Sequence, residues 1–284
     1  MRRFAIGALT TLLSSGFLLF QSAPDALMHV YFLNIGQGDA TLIRTPGGEN
    51  ILIDGGPDRS ILTELKDTLP FFDNSIDYML LTHPDGDHIS GLIYVLGRYK
   101  VKNVVFTGGY KGKLSEAFLK KIRDKNIPVI IADENSDINL EDGVIIDVLA
   151  PSRQSIGRLV DTNNSSLIVK IIYAGKKFLI TGDAEADTEE KLLRANVDLD
   201  SDVLKAGHHG SKTSSTEDFL KAVSPDYAVI SVGKDNPYHH PHPSALKRLA
   251  GTNAKILRTD LDGRIEMTIS KTGLVDVIAS DRRE

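Results

Sequence analysis

Short runs of apolar residues separated by turn residues dominate the hydrophobic pattern of this chain. Runs rich in Ile, Val and Leu predict strands over 29–34, 40–45, 50–53, 77–82, 101–106, 128–132, 144–150, 166–173, 176–181, 202–205, 227–232, 255–258, 264–269 and 274–278. A three-to-four-residue apolar rhythm predicts helices over 61–68, 89–97, 114–125, 187–195, 216–223 and 244–250.

The order of these elements predicts the fold class. Glycine-containing turns at 36–39 and 46–49 join the early strands as hairpins, and strand–helix–strand units follow in each half of the chain. Two antiparallel-rich sheets with helices on their outer faces explain both patterns. We therefore expect an α/β protein with a four-layer αββα sandwich, in a single domain over 28–284.

The first residues have the pattern of an export signal. Arg2 and Arg3 precede an apolar stretch over 4–20, and small or polar residues end it. As a helix, the sixteen residues from Ala5 to Phe20 span about 24 Å, less than the ~30 Å hydrocarbon core. Gln21 stands where a cleavage site prefers a small residue. Residues 1–27 are thus predicted to be a signal peptide or an uncleaved N-terminal anchor, with the rest secreted or extracytoplasmic.

Composition narrows the chemistry. The 284 residues include no cysteine, which excludes disulfides, thiolate metal sites and a cysteine nucleophile. A formal net charge of −5 argues against a protein that coats nucleic acid through bulk positive charge. Seven of the eight histidines fall in three short clusters: His83 and His88; His208 and His209; His239, His240 and His242.

The most informative segment is the loop THPDGDH at 82–88, between a predicted strand and a predicted helix. His83 and Asp85 alternate, so in an extended loop their side chains point to the same side. Asp87 and His88 stand at a helix start and point in different directions, so they could reach a second ion. Imidazole and carboxylate without thiolate suit Zn²⁺, Mn²⁺ or Fe²⁺. The alternative interpretation is a helix start capped by Asp87, with incidental histidines.

Two later strands end in similar residues. FLITGD places Asp183 at the end of one apolar strand, and AGHHGS places His208 and His209 at the end of another. Taken alone, Asp183 could cap a helix and the histidines could lie in a solvated loop. Together, three strand ends that carry His or Asp favour a two-ion site, with Asp183 as the natural bridging carboxylate.

These motifs resemble the metallo-β-lactamase superfamily, through HPDGDH at 83–88, TGDAE around Asp183 and AGHHGS around His208. Four further segments resemble a narrower group within this superfamily: NIGQGDATLI at 34–43, LIDGG at 52–56, NNSS at 163–166 and VGKDNPYHHPH at 232–242. That group is the soluble hydrolase domain of the ComEC family of DNA-uptake proteins, with its free-standing relatives. The resemblance covers about 28–269 and implies the same αββα sandwich.

The resemblance implies two divalent ions, Zn²⁺ or Mn²⁺, as cofactors. The implied ligands are His83, Asp85 and Asp183 for the first ion, and Asp87, His88, Asp183 and His208 for the second. Asp54 in LIDGG is implied to lie behind the ligands and orient them. Asp85 replaces the superfamily's second histidine, and NNSS replaces a histidine after the central hairpin. Fewer imidazoles at the first ion favour Mn²⁺ or a weaker Zn²⁺ site.

The expected reaction is hydrolysis by a hydroxide that bridges the two ions, with in-line attack on phosphorus or an acyl carbon. Asp87 is the predicted orienting group or base for this nucleophile. His209 and His240 are predicted to bind an anionic substrate or to protonate its leaving group. For His240, a surface position beside a proline-rich turn is the alternative. Further substrate contacts are expected from Asn163, Asn164, Ser211 and Lys205.

The favoured function is an extracytoplasmic metal-dependent phosphodiesterase or nuclease, with DNA as the substrate implied by the ComEC resemblance. Because the chain is acidic, DNA binding needs a local basic track, for which the candidates are Lys205, Lys212, Lys234 and Arg258. One alternative changes the substrate to a cell-wall or small-molecule phosphoester. Another is a non-catalytic accessory module of a DNA-uptake machine. Membrane contact is expected only through an uncleaved N-terminal segment, and the sequence leaves protein partners unknown.

Overall fold

The structure of the protein is a computed structural model that describes residues 25–156 and 162–280. Over these residues the chain forms fifteen strands, seven α-helices and three short 3₁₀ turns. In chain order the strands and helices are β1 (Met28–Phe32), β2 (Thr41–Arg44), β3 (Asn50–Ile53), α1 (Ser60–Thr68), β4 (Ser75–Leu81), α2 (Gly86–Arg98), β5 (Lys100–Phe106), α3 (Gly112–Asp124), β6 (Val129–Ile131), β7 (Ile138–Asn139), β8 (Ile145–Ala150), β9 (Ile168–Tyr173), β10 (Lys176–Ile180), α4 (Ala186–Arg194), β11 (Val203–Lys205), α5 (Glu217–Val223), β12 (Tyr227–Ile230), α6 (Pro243–Ala250), β13 (Lys255–Arg258), α7 (Thr259–Asp262), β14 (Arg264–Ser270) and β15 (Gly273–Ser280).

Two mixed sheets contain all of these strands. The first has the order β15-β14-β1-β2-β3-β4-β5-β6, and the second has the order β13-β12-β11-β10-β9-β8-β7. In the first sheet β15 to β3 are antiparallel neighbours, whereas β3 to β6 are parallel. In the second, β10 to β13 are parallel and β7 to β10 antiparallel.

Three apolar cores separate four layers. β4 contributes to two of these cores because successive side chains of a strand point to opposite faces of the sheet. Leu80 faces the core between the sheets, whereas Met79 and Leu81 face the helices α1 to α3. From the other sheet, Phe178 enters the same central core, and Leu179 packs under α4 to α6. The predicted αββα sandwich is therefore confirmed.

The carboxyl ends of parallel strands from both sheets meet at one edge of the sandwich. β3 and β4 of the first sheet end there, as do β10, β11 and β12 of the second. A hydrogen bond from Leu167 N to Thr82 O, 2.8 Å long, joins the loop after β4 to the residue before β9. The fold thus brings three separated segments, 82–88, 181–185 and 206–211, to the same edge.

All of the predicted strands and helices overlap observed ones. The sequence pattern misses β7 and α7, which span two and four residues and are too short to show a period. The predicted signal peptide or anchor lies outside the described residues except for 25–27, and the predicted domain includes 157–161 and 281–284, which also lie outside them. Within the described part of the chain, no helix has the length and hydropathy to cross a membrane.

Candidate metal centre

Asp183, which follows β10, lies among four imidazoles. Its Oδ1 lies 3.4 Å from His88 Nε2, and its Oδ2 lies 3.5 Å from His209 Nε2. The Nε2 atoms of His208 and His83 are 3.8 and 3.9 Å from the same Oδ2. One buried carboxylate therefore contacts imidazoles delivered by both sheets, as a bridging ligand must.

Four residues form the tightest group. Asp87, His88, Asp183 and His209 each offer one ligand atom, and these atoms all lie within 4.8 Å of one another. Three buried atoms, His83 Nε2, His88 Nε2 and Asp183 Oδ1, have no hydrogen-bond partner within the described part of the chain. Burying such an atom unpaired costs about 1–3 kcal/mol. A divalent cation would satisfy these atoms together, so the residues fit a metal centre with nitrogen and oxygen donors.

His88 is fixed from behind by Asp54. The Asp54 carboxylate accepts hydrogen bonds from His88 Nδ1 at 2.8 Å, Thr82 N at 2.9 Å and Thr82 Oγ1 at 2.7 Å. α2 comes close enough for this contact because residue 91 is a glycine. Any Cβ on Gly91 would lie 1.7 Å from Gly55 O and would push the helix away. The Asp54 contact turns His88 Nε2 toward Asp183. That Asp54 orients a metal ligand, as the resemblance implies, stays a prediction.

Carboxylates also lie behind His208 and His209, the two histidines that follow a strand of the second sheet. Glu185 Oε1 is 3.0 Å from His208 Nδ1. Asp39 Oδ1 is 3.1 Å from His209 Nδ1, which also lies 3.0 Å from the carbonyl of Ser231. Both histidines have left-handed backbone conformations, with φ of 47° and 52°. Strained backbone of this kind in non-glycine residues is typical of functional sites.

The electrostatics favour positive charge in the centre. Burial opposes protonation of His88 and His209, but the nearby carboxylates outweigh it: the pKa of His88 lies well above its usual value, and that of His209 rises to about 10. Despite burial, the same histidines hold the pKa of Asp183 and of Asp87 below the usual range. A site that stabilises added protons also stabilises a cation that replaces them.

His83 differs from these histidines. Burial, assisted by the neighbouring His88, lowers the pKa of His83 to about 4. Its ring is therefore neutral at neutral pH, the state in which imidazole binds a metal. His83 Nδ1 lies 3.1 Å from Thr82 Oγ1 and 3.5 Å from Ser166 Oγ, so hydroxyls rather than a carboxylate stand behind it.

Besides His83, two predicted ligands lie outside the tight group, Asp85 and His208. Asp85 Oδ1 accepts a hydrogen bond from Lys111 Nζ at 2.7 Å, at a partly exposed position. His208 is close to Asp183 but is 24% exposed, whereas its neighbour His209 is 2% exposed and belongs to the group. Coordination by Asp85 and His208 stays a prediction, and the structure adds His209, predicted as a catalytic residue, to the metal-binding candidates.

His240 stands at the rim of the centre. Its ring centroid is 5.5 Å from that of His208 and 6.4 Å from that of His209. Burial and these two neighbours lower the pKa of His240 to about 4. Its Nδ1 is buried and has no hydrogen-bond partner among the described residues. At neutral pH the His240 ring is an uncharged hydrogen-bonding group.

Three residues predicted to contact substrate, Asn163, Asn164 and Ser211, bond to neighbouring loop residues. Asn163 Nδ2 contacts Glu185 Oε1 at 3.5 Å, and Asn164 Oδ1 accepts from Glu185 N at 3.1 Å. Ser211 is buried, with its hydroxyl 2.9 Å from that of Thr213. These contacts hold the loops that carry the ligands, and contact of these residues with substrate stays a prediction.

Lys205 does not reach the open side of the centre. Its ammonium is 1% exposed and pairs with the Asp39 carboxylate, which is 5% exposed. This burial argues against the predicted contact between Lys205 and a substrate phosphate. Lys205 instead compensates the buried charge of the carboxylate behind His209.

Sequence reasoning missed the supporting roles of Asp39, Glu185 and Lys205. Asp39 ends a glycine-rich turn that is explained by its hairpin alone, and its partner Lys205 is 166 positions away. Glu185 carried a weak signal, since it stands two residues after Asp183. An additional carboxylate beside a predicted ligand was the available clue.

A two-sheet sandwich with helices outside, and an imidazole–carboxylate centre at the strand ends, defines the class of αββα metallohydrolases. The family model described as Metallo-beta-lactamase superfamily matches residues 33–234, and the chain belongs to this superfamily. This match confirms the predicted membership.

Two relatives match most of the length of this chain. The chain is 32% identical over 255 residues to ComE operon protein 3 of Bacillus subtilis, covering 84% of this chain and 32% of that protein. It is 31% identical over 268 residues to Competence protein ComA of Neisseria gonorrhoeae, covering 93% of this chain and 36% of that one. The chain thus spans about a third of the length of these relatives. The two matches confirm the predicted ComEC-like resemblance.

Solved structures support the fold. A mutant of CmlA beta-hydroxylase superposes with a TM-score of 0.55 at 15% identity, over 84% of this chain and 53% of that chain. A diphosphatase of the PhnP family superposes with a TM-score of 0.50 at 15% identity, over 86% and 99%. The protein is therefore a metal-dependent hydrolase of the metallo-β-lactamase superfamily, related to competence proteins.

Proposed function

We propose that this protein is a binuclear phosphodiesterase that cleaves DNA outside the cytoplasm. The observation that carries the proposal is the position of the Asp183 carboxylate, within 3.9 Å of four imidazoles. A carboxylate shared among several imidazoles suits a pair of divalent ions. The similarity to ComE operon protein 3 and to Competence protein ComA, together with the ComEC-like sequence motifs, supports DNA as the substrate.

The residues divide the work of hydrolysis. Asp87, His88, Asp183 and His209 would hold one ion, and His83 and His208 would complete a second site on the Asp183 carboxylate. Zn²⁺ or Mn²⁺ bound there would supply Lewis acidity, which polarises the phosphodiester and makes water a stronger nucleophile. Every other contribution comes from the side chains themselves.

Asp87 is the group placed to orient the attacking water. Its side chain is 31% exposed, against 5% or less for Asp183 and His209, so it meets solvent at the mouth of the centre. Its low pKa keeps it an anionic acceptor at neutral pH. His240, neutral at the rim, would hydrogen-bond a phosphate oxygen or the leaving group without carrying charge.

The decisive experiment is hydrolysis of bis-p-nitrophenyl phosphate and of a substrate panel. We expect turnover by the purified protein, its loss with a chelator, and its recovery best with Mn²⁺ or Zn²⁺. The panel contains single-stranded DNA, duplex DNA, RNA, teichoic acid fragments and β-lactams. Rapid turnover of a cell-wall ester without DNA cleavage would replace DNA as the substrate, and no turnover with any metal would favour the accessory-module alternative.

Export is tested separately. We expect the protein to be outside the cytoplasm, because residues 1–27 have the pattern of a signal peptide or anchor. N-terminal sequencing of the exported protein distinguishes the two, since a start near Pro24 means cleavage. Recovery of the intact chain in the cytoplasmic fraction would contradict the proposed location.

A further inference from the structure

An exposed aromatic ring stands beside the metal centre. Tyr238 stacks on His240, with ring centroids 5.9 Å apart and an interplanar angle of 28°. His240 in turn lies 5.5 Å from His208, a contact of Asp183. Tyr238 is nevertheless 63% exposed, so much of its ring remains open to solvent close to the centre.

The loop that carries Tyr238 is held in place by one side chain. Asn236 Nδ2 donates to Gly233 O at 2.9 Å and to His240 O at 2.7 Å. Asn236 Oδ1 accepts from Tyr238 N at 3.2 Å and from His240 N at 3.0 Å. Because these bonds fix the loop on both sides of the ring, Tyr238 is a preorganised aromatic surface.

A groove of about 410 Å³ begins on the same loop. Its lining includes Gly36 and Gln37 from the first hairpin turn and Lys234, Asn236 and Pro237 from the Tyr238 loop. Gln37 Oε1 accepts from Gly233 N at 3.1 Å, and Gln37 Nε2 is buried without a hydrogen-bond partner in the described ranges. The groove therefore offers the Lys234 ammonium group, and Gln37 anchors its wall to Gly233.

Acidic side chains in the groove are partly compensated. Asp235 and Asp260 also line it. Arg258 pairs with both oxygens of Asp260, at 3.0 and 2.6 Å, which neutralises that carboxylate. The groove thus combines a lysine with carboxylates, one of them neutralised, on the loop that also carries the Tyr238 ring, and this composition suits a nucleotide better than a simple anion.

We propose that Tyr238 is a stacking platform for an unpaired nucleobase next to the scissile phosphate, and that the groove holds the neighbouring nucleotide. The proposal rests on the proposed phosphodiesterase function and narrows its substrate to single-stranded nucleic acid. In a duplex, the base faces are already stacked on each other, whereas a single strand leaves them free for an aromatic side chain.

Two diesters with the same leaving group test the proposal. The p-nitrophenyl ester of thymidine monophosphate has a base, and methyl p-nitrophenyl phosphate has none. We expect Tyr238→Ala to lower the ratio of kcat/KM for the first ester to that for the second by about ten-fold, through KM, because stacking on one aromatic residue has this size. Tyr238→Phe keeps the ring and should retain the ratio within about two-fold. Phe71→Ala removes an exposed ring at the other end of the molecule and serves as the matched control.

Binding separates this proposal from the reaction itself. In an Asp183→Ala background, we expect Tyr238→Ala to weaken binding of a labelled oligothymidylate of about eight nucleotides by about ten-fold. An abasic oligomer of equal length should bind weakly with or without Tyr238. If neither ester is hydrolysed, the phosphodiesterase function fails and oligonucleotide binding still decides the role of Tyr238. Equal effects of Tyr238→Ala on base-containing and base-free ligands, or none on either, would overturn the stacking proposal.

Discussion

The imidazoles around Asp183 are supported in two different ways. On one side, His88 and His209 each have a buried carboxylate behind the ring, at 2.8 and 3.1 Å. We call these two residues the carboxylate-backed side. On the other side, His83 has only hydroxyls behind it, at 3.1 and 3.5 Å, and the carboxylate behind His208, that of Glu185, is 25% exposed. We call His83 the hydroxyl-backed side.

The difference predicts unequal affinity for the two proposed ions. A carboxylate behind an imidazole fixes the ring and raises its basicity, whereas a hydroxyl does so more weakly. On the hydroxyl-backed side, the predicted partner Asp85 also pairs with Lys111. We therefore expect an ion on the carboxylate-backed side to bind more tightly than its neighbour.

Removal of Asp183 affects both sides and should have the largest effect. We expect Asp183→Ala to lower kcat/KM on bis-p-nitrophenyl phosphate by about 10³-fold or more, since several kcal/mol of transition-state stabilisation are lost. Kinetics and metal analysis by mass spectrometry measure the outcome. The exposed Asp187→Ala on α4 is the control and should behave as wild type. Bound metal and turnover retained in Asp183→Ala would refute the site.

Single histidine substitutions compare the two sides directly. We expect His88→Ala to lose the tightly bound ion, whereas His83→Ala keeps one tight ion and loses the weaker one. Titration calorimetry with Mn²⁺ and Zn²⁺ gives the stoichiometry and affinity of each variant, and circular dichroism checks folding. Equal loss in the two variants would remove the distinction between the sides.

The buried pair behind His209 tests how the carboxylate-backed side is supported. Lys205→Met leaves the Asp39 charge buried without its partner, and we expect it to lower the free energy of unfolding by about 3–5 kcal/mol. In the double variant Asp39→Asn with Lys205→Met, no charge remains uncompensated, so most of this stability should return. Urea unfolding measures both.

Metal affinity distinguishes support of His209 from a purely structural role of the pair. The double variant should still bind its tight ion about 10–100-fold more weakly than wild type, the usual effect of removing a group behind a ligand. Wild-type affinity in a stable double variant would show that the pair serves folding alone.

The smallest effect is expected at Lys111. Its pair with Asp85 is largely exposed, at 54% and 24% of the two side chains, and such pairs contribute about 0–1 kcal/mol. If Asp85 binds the weaker ion, Lys111→Ala should free the Asp85 carboxylate from its ion pair. Metal affinity on the hydroxyl-backed side should then rise by less than about ten-fold. Calorimetry measures this change, with the exposed Lys113→Ala as control. Weaker binding in Lys111→Ala would contradict a ligand role for Asp85.

The fold and the centre of the site could be predicted from sequence because their signals are local. A continuous apolar run, as at Met79, Leu80 and Leu81, reveals a strand with both faces buried. Asp183 and His88 stand directly after such strands or at the next helix start. Residues at the carboxyl ends of strands meet at one sheet edge, so their proximity follows from the order of elements.

The supporting contacts could not be predicted because they join distant parts of the chain. Asp39 meets Lys205 across 166 positions, and Asp85 meets Lys111 across 26. The choice between His208 and His209 depends on left-handed backbone at both residues, which no side-chain pattern signals. Packing in three dimensions decides which of two adjacent imidazoles is buried.

The candidate ligands come from both halves of the sandwich: His83 and His88 follow a strand of the first sheet, and Asp183 and His209 follow strands of the second. An ion held by all of them is a non-covalent cross-link between the halves. Unfolding must then release the ion, so the melting temperature rises with the concentration of free metal. Metal supply would in this way regulate the lifetime of the folded protein as well as its activity.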